Sequence, residues 1–310
     1  MIDRDAVHSV HYADDHWPDP FQTSQMNRYL LPLLLLSFAV SCSDGTEKLK
    51  VAGIPDQGAS RLTQQYELLV EYLSEVLEVE VEYVPTTNYA ATVTGFINDD
   101  IQLAWFGGLT GVQARRQLPD AEAFAQRPED QEFRSVFIVG ASIEENRDVT
   151  RLHQLAGLRF TFGSENSTSG HLMPRHFMLA AGVDPESDLA GPPGYSGSHD
   201  KTWKLVESGT FEAGVLSEAV WDRVVHEGSV DLAKVREFHR TSSYYDYNWT
   251  LRPDIDSRFG VGFSDRLRTA VLGIEDPLIL DLFNTDRFIE TDNGNYKVIL
   301  SVAEALGIIE

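Results

Sequence analysis

Between Lys48 and Arg116 the chain alternates strand and helix signals three times, and this alternation restricts the fold more than any other feature. Lys48-Leu49-Lys50-Val51-Ala52-Gly53-Ile54 reads as a strand ending at Pro55. From Ser60 to Leu77, apolar side chains at Leu62, Tyr66, Leu69, Tyr72, Leu73 and Val76 recur at helical spacing. Val79 to Pro85 alternates as a strand, and a helix is predicted from Tyr89 to Asn98. Ile101 to Phe106 gives a third strand, and Gly107-Gly108 opens a third helix through Arg116. A β-α-β-α-β-α run predicts a parallel sheet with helices on both faces.

The pattern then restarts. Arg134 to Gly140 is an apolar strand able to leave the first unit, and Leu158 to Phe162 begins a second strand–loop–helix unit. Ala190 to Ser198 is loop by composition, followed by a helix to Ser208, a strand over 211–216 and a helix to Glu227. Ser242 to Trp249 is aromatic and extended, and residues 264–307 read as two terminal helices with a loop around Asn293-Gly294. Two α/β units joined by two extended crossings predict two lobes: residues 48–138 with 249–310, and residues 139–248. A cleft between lobes is where a small ligand sits.

The amino-terminal segment is of another kind. Met26-Asn27-Arg28 precedes an apolar run from Tyr29 to Val40, then small residues, then Cys42, the one cysteine of the chain. This is the layout of a secretory signal peptide ending in a lipobox. The run is about half of the roughly 20 residues that span a bilayer, so Cys42 is expected as a lipid attachment point. The expected order is an extension over 1–25 arising from a mis-assigned start, a leader over 26–41 and a tether over 42–47. The chain would be anchored at the extracytoplasmic face of a membrane.

Charge excludes several partners. The net charge is −23, and residues 1–41 hold only two basic and five acidic residues, so nearly all of it stays on the remaining chain. Such a surface argues against nucleic acid. It also means that an anionic ligand must be attracted by a local, well-aimed site.

The strongest internal signal is Phe162-Gly163-Ser164-Glu165-Asn166-Ser167-Thr168-Ser169-Gly170-His171, after an apolar strand and before a helix over 172–181. Ser167, Thr168 and Ser169 at a helix start offer hydroxyl and backbone donors plus the positive end of the helix dipole. Plain N-capping would account equally well for this segment alone. Gly107-Gly108 forms a second candidate anion-binding turn, although two glycines also suit a tight turn. His199, in Ser198-His199-Asp200, could donate to an oxyanion in its neutral form or simply be a solvated loop histidine. Tyr244-Tyr245-Asp246-Tyr247-Asn248-Trp249 is a dense aromatic run with one carboxylate, suited to closing a cleft or to packing a hinge.

Taken together, Asn88-Tyr89-Ala90-Ala91, Trp105-Phe106-Gly107-Gly108, Ser167-Thr168-Ser169-Gly170, Ser198-His199-Asp200 and Tyr245-Asp246-Tyr247-Asn248-Trp249 resemble the phosphonate/phosphite-binding branch of ABC-transporter solute-binding proteins. Among these, the resemblance extends to proteins labelled as selenate-transporter binding proteins. It covers residues 48–310. It implies a two-lobed type II periplasmic-binding fold, each lobe a mixed, mainly parallel sheet flanked by helices. It also implies a ligand site in the cleft formed by Tyr89, Ser167, Thr168, Ser169, His199 and Asp246, to which the reading of the residues adds Gly107, Gly108 and Tyr247. Asp246 matches a carboxylate that faces the amine in aminophosphonate binders. The segment from Phe211 to Glu218 departs from the further acidic contacts of those binders, which points away from an aminoalkyl phosphonate. Asp246 would instead accept the proton of a hydrogen phosphite-like anion, a contact that sulfate or selenate lacks. The expected partners are a small tetrahedral oxyanion and a permease–ATPase complex, and the expected state is a monomer.

Two other readings compete with this one. A hydrolase is disfavoured because Gly194-Tyr195-Ser196-Gly197-Ser198 lacks the final glycine of a nucleophile elbow. His171 and His176 are five apart and miss the spacing of a helical zinc pair. No cofactor or metal is therefore expected. The second rival is a lipoprotein of the same fold that presents its oxyanion to a histidine kinase, a difference that lies in the outer lobe faces.

Overall fold

Two mixed β-sheets, each with its own cores, organise the computed structural model, which describes residues 47–144 and 148–309. The leader, Cys42 and all but Glu47 of the tether lie outside the described residues. The strands are β1 (Leu49–Gly53), β2 (Val81–Tyr83), β3 (Leu103–Phe106), β4 (Glu122–Gln126), β5 (Ser135–Gly140), β6 (Phe160–Phe162), β7 (Gly194–Tyr195), β8 (Ala213–Ser217), β9 (Val235–Arg240), β10 (Asn248–Leu251) and β11 (Ile289–Glu290). The first sheet has the order β11-β4-β10-β3-β1-β2 and the second β7-β6-β8-β5-β9.

The parallel part of each sheet is narrower than expected. β1 runs parallel to β2 and β3, and β6 runs parallel to β7 and β8. β10 lies antiparallel between β3 and β4, and β5 lies antiparallel between β8 and β9. The reason is connectivity: β5 and β10 are the first strands after each crossing and enter their sheets from the opposite end. The expected division at 138/139 falls inside β5, whose paired residues all lie in the second sheet. The sheets change between Gln126 and Ser135, and change back between Arg240 and Asn248. Strands β4, β9 and β11 form where no strand is expected, and β7 lies within the stretch 190–198 expected as loop. The expected pair of terminal helices is three, Phe263–Leu272, Pro277–Phe283 and Lys297–Ala305. Pro277 starts the second of them, with the Asp276 carboxylate accepting from Leu278 N at 2.8 Å.

The two crossings pair with each other. Phe133 and Tyr244 exchange both backbone hydrogen bonds at 3.0 Å, and Asp246 N donates to Asp130 O at 3.0 Å. Beneath them lies a buried ion pair. Arg127 Nε and Nη2 reach the two Asp130 carboxylate oxygens at 2.8 and 2.7 Å, and the guanidinium lies 4.9 Å from the centre of the Tyr247 ring. Trp105, Trp249, Phe283 and Phe288 gather in edge and tilted ring contacts behind it. Gly53 is required on β1: a Cβ there would stand 1.7 Å from the Tyr66 hydroxyl, which passes across the strand to stack on Tyr83.

Candidate ligand-binding site

Every side chain expected at the ligand is buried in this structure: Tyr89, Ser167, Thr168, Ser169, His199, Asp246 and Tyr247. They come from both lobes and from the second crossing. Tyr89 is the first residue of the helix Tyr89–Ile97, capped by Asn88, whose Oδ1 accepts from Ala91 N at 2.9 Å. Placing Tyr89 there brings its ring to the positive end of a helix.

The segment 167–172 forms one wide helical turn before the regular helix Met173–Ala180. Pro174 explains the shape. It has no N–H for the carbonyl of Gly170, four residues earlier, so that carbonyl accepts from Gly163 N at 2.8 Å instead. Leu172 N reaches back five residues to Ser167 O at 3.0 Å. Ser167 Oγ accepts from Gly170 N at 2.9 Å and closes the turn. His171 fixes it from behind: Nδ1 donates to Glu165 O at 2.7 Å and Nε2 accepts from Arg175 Nε at 2.9 Å. Tyr195 joins that group, with its hydroxyl 3.1 Å from Arg175 Nη2.

Gly107 and Gly108 act differently from the expected anion-binding turn. Gly108 N donates to Asp246 Oδ1 at 2.9 Å, and Leu109 N donates to Thr168 Oγ1 at 2.9 Å. The positive end of the helix Gly108–Gln117 therefore already faces a carboxylate of the protein. The glycines are needed for close approach, since a Cβ on Gly107 would lie 3.3 Å from both Asp246 Oδ1 and Thr168 Oγ1.

Two atoms are conspicuous by chemistry. The Tyr89 hydroxyl and Asp246 Oδ2 are both buried, and no atom among the described residues meets either in hydrogen-bond geometry, although the hydroxyls of Ser167, Thr168 and Ser169 stand near them. Unpaired buried polar atoms cost about 1–3 kcal/mol each. Burial pushes the Asp246 carboxyl up to about 7, opposed by the Gly108 N–H and by the Thr168 and Ser169 hydroxyls nearby. Burial likewise drives the Tyr89 phenol well above its ordinary value, with the charges of Asp56 and Asp246 adding to the effect and the Ser167 hydroxyl nearby opposing it.

His199 is neutral here, because burial lowers it to about 4. Its Nδ1 accepts from Ser217 N at 3.3 Å, which leaves the proton on Nε2, 3.5 Å from the Tyr247 hydroxyl. The imidazole is thus a fixed donor without charge. Tyr247 donates to Asp56 Oδ2 at 2.8 Å. Asp56 was missed in the sequence because a lone acid after Pro55 has no local signature. Burial raises it to about 6 despite the Tyr247 hydrogen bond. Arg127 and Asp130 were missed as well, since an acid three residues after an arginine reads as a surface pair.

Two α/β lobes that bring buried hydroxyls, a neutral imidazole and a buried carboxyl together are the arrangement of a two-lobed solute-binding protein. The chain belongs to the family described as ABC transporter, phosphonate, periplasmic substrate-binding protein, which it matches over residues 51–296. This is the family that the motif order had implied.

One relative is "Probable ABC transporter phosphite binding protein PhnD1" of Prochlorococcus marinus (strain MIT 9301). It is 42% identical over 292 residues, which covers 91% of this chain and 98% of the relative. The solved structure of PhnD1 from that organism, in complex with methylphosphonate, superimposes with a TM-score of 0.81 at 43% identity, covering 84% of this chain and 99% of that one. A phosphonate-transporter binding component from Pseudomonas aeruginosa shares the fold at 17% identity, with a TM-score of 0.72 over 83% of this chain and 85% of that one. The fold is the two-lobed type II periplasmic-binding arrangement. The relatives are transporter binding proteins, not enzymes.

Proposed function

We propose that this protein captures a small phosphorus oxyanion of the phosphite or methylphosphonate class by lobe closure and delivers it to an ABC importer from a lipid anchor at Cys42. The observation that carries the reading is the pair of buried, unpartnered atoms in the cleft, one donor (Tyr89 Oη) and one acceptor (Asp246 Oδ2). A singly protonated oxyanion satisfies both at once: an oxygen accepts from Tyr89, and its own O–H donates to Asp246. Ser167, Thr168, Ser169 and neutral His199 complete a shell of donors without a lysine. The PhnD1 relatives, described as phosphite-binding and solved with methylphosphonate, support the same ligand class.

An aminoalkyl phosphonate fits less well. The strand β8, where such a ligand would need further acids, is buried, and its Ser217 N is committed to His199. The second carboxylate, Asp56, is already held by Tyr247. The mechanism is a population shift: only the closed form lets both lobes touch the anion, so the anion favours closure. Calorimetry of the full chain in detergent against phosphite, methylphosphonate, phosphate, sulfate and selenate tests this. Phosphite and methylphosphonate are expected to bind tightest; equal affinity for sulfate or selenate sinks the reading.

Two substitutions follow. Tyr89→Phe removes the unpaired hydroxyl, so phosphite should bind about 1–2 kcal/mol more weakly while the ligand-free protein melts no lower than wild type. Titration calorimetry and a thermal melt read the two effects separately. Cys42→Ala should move the protein from the membrane fraction to the soluble fraction; retention in membranes would refute the anchor.

A further inference from the structure

The helix Ala59–Leu77 begins without a cap of its own. Its N-cap is Gly58, which has no side chain to accept a hydrogen bond, and its first turn holds no acid. The acid comes from the other lobe. Asp200 Oδ2 accepts from Gly58 N at 2.8 Å, and Asp200 Oδ1 accepts from Arg223 Nη2 at 2.9 Å within its own lobe. One residue away, His199 N donates to Asp56 O at 3.0 Å. Segments 56–58 and 199–200 therefore clasp each other with two hydrogen bonds across the cleft, one of them to a carboxylate at a helix N-terminus, where negative charge is favoured.

The geometry points to Asp200 as a closure latch: a positioning residue that caps the helix Ala59–Leu77 only when the lobes meet, and thereby holds the His199 ring over the bound anion. This rests on the lobe-closure reading above. Asp200 is not placed among the ligand contacts, so its effect should be the same for every anion and should fall on release. When the lobes open, Gly58 N loses its capping acid, while Asp200 keeps Arg223. Arg61 of the first lobe adds a partly exposed contact of 3.8 Å to Glu227 of the second, next to Arg223.

The local backbone offers a clean test. Gly58 has φ −67, ψ 139, a conformation that proline adopts, and a Cβ there would sit 3.5 Å from Asp200 Oδ2, an ordinary contact. Gly58→Pro removes the N–H and sets a ring carbon against the carboxylate, whereas Gly58→Ala keeps the N–H. Stopped-flow release of phosphite from the full chain in detergent should show dissociation about tenfold faster for Asp200→Ala and for Gly58→Pro. Gly58→Ala should match wild type. In the Asp200→Ala background, Gly58→Pro should add little. Methylphosphonate should show the same factors, and X-ray scattering should report a smaller closed fraction at equal saturation. Unchanged release in both single variants, additive effects in the double variant, or factors that differ between the two anions would overturn the latch while leaving the ligand assignment intact. Failure of the wild-type chain to bind either anion would overturn the assignment itself; the latch then falls only if scattering shows the Gly58→Pro protein as closed as wild type.

Discussion

Asp246→Asn is expected to weaken phosphite binding by about 1.5–3 kcal/mol, roughly ten- to a hundredfold, and to tighten sulfate and selenate relative to it. The asparagine carbonyl still accepts from Gly108 N, so the helix end stays capped, but the other arm becomes a donor. A donor opposes a ligand O–H and welcomes a bare oxyanion oxygen. The pH profile gives a second reading of the same group. In its buried position Asp246 is pushed up to about 7, against an ordinary value of 3.8. A raised carboxyl favours the closed form fully below its ordinary value, and that contribution is lost as pH rises through about 7. A dianionic ligand also needs one proton in the site, carried by itself or by Asp246, so above pH 7 affinity should fall about tenfold per unit. Asp56, raised to about 6, acts in the same direction at lower pH. Calorimetry from pH 5 to 9 on wild type and Asp246→Asn should show the slope above 7 flattened in the variant. Parallel profiles would remove Asp246 from proton recognition.

The largest loss of stability is expected from Arg127→Met. Asp130 is fully buried and takes Arg127 Nε, Nη2 and backbone N together, at 2.8, 2.7 and 3.1 Å. Asp130 in turn keeps the guanidinium charged, raising Arg127 above its ordinary value against the cost of burial. Removing one partner leaves a buried charge uncompensated, at about 3–5 kcal/mol. For a chain of this size that is roughly a 10 °C fall in the melting midpoint. Arg127→Met combined with Asp130→Asn should recover part of it, because the stranded carboxylate is gone. Differential scanning calorimetry decides: a fall under about 2 °C for the single variant would mean that the pair does not hold the crossing.

How legible all this was depends on how far apart the partners lie. The β1–β2–β3 portion announced itself because each strand and helix carries its own period over a few consecutive residues, and a right-handed crossover leaves few topologies. β9 escaped because Val235-Arg236-Glu237-Phe238-His239-Arg240 is a half-buried edge strand whose charges conceal the alternation. β4 escaped because its buried face is short and alanine-rich. The Ser167-Thr168-Ser169 turn was visible as a donor-rich helix start, yet its wide geometry follows from Pro174 and from Gly163, a partner on the far side of the loop. The role of Gly107 and Gly108 could not be read locally at all. What they accommodate is Asp246, 138 residues further along from Gly108, and no spacing rule reaches that far.

The second crossing carries Asp246 and Tyr247 in the same few residues that pair with Phe133 to join the halves. Tyr247 bonds there to Asp56, two residues from Gly58, and faces His199, one residue from Asp200, so the clasp of 56–58 with 199–200 is tied directly to this joint. A substitution at Tyr247 is therefore expected to disturb the connection of the halves and the buried polar group around Asp56 and His199 together.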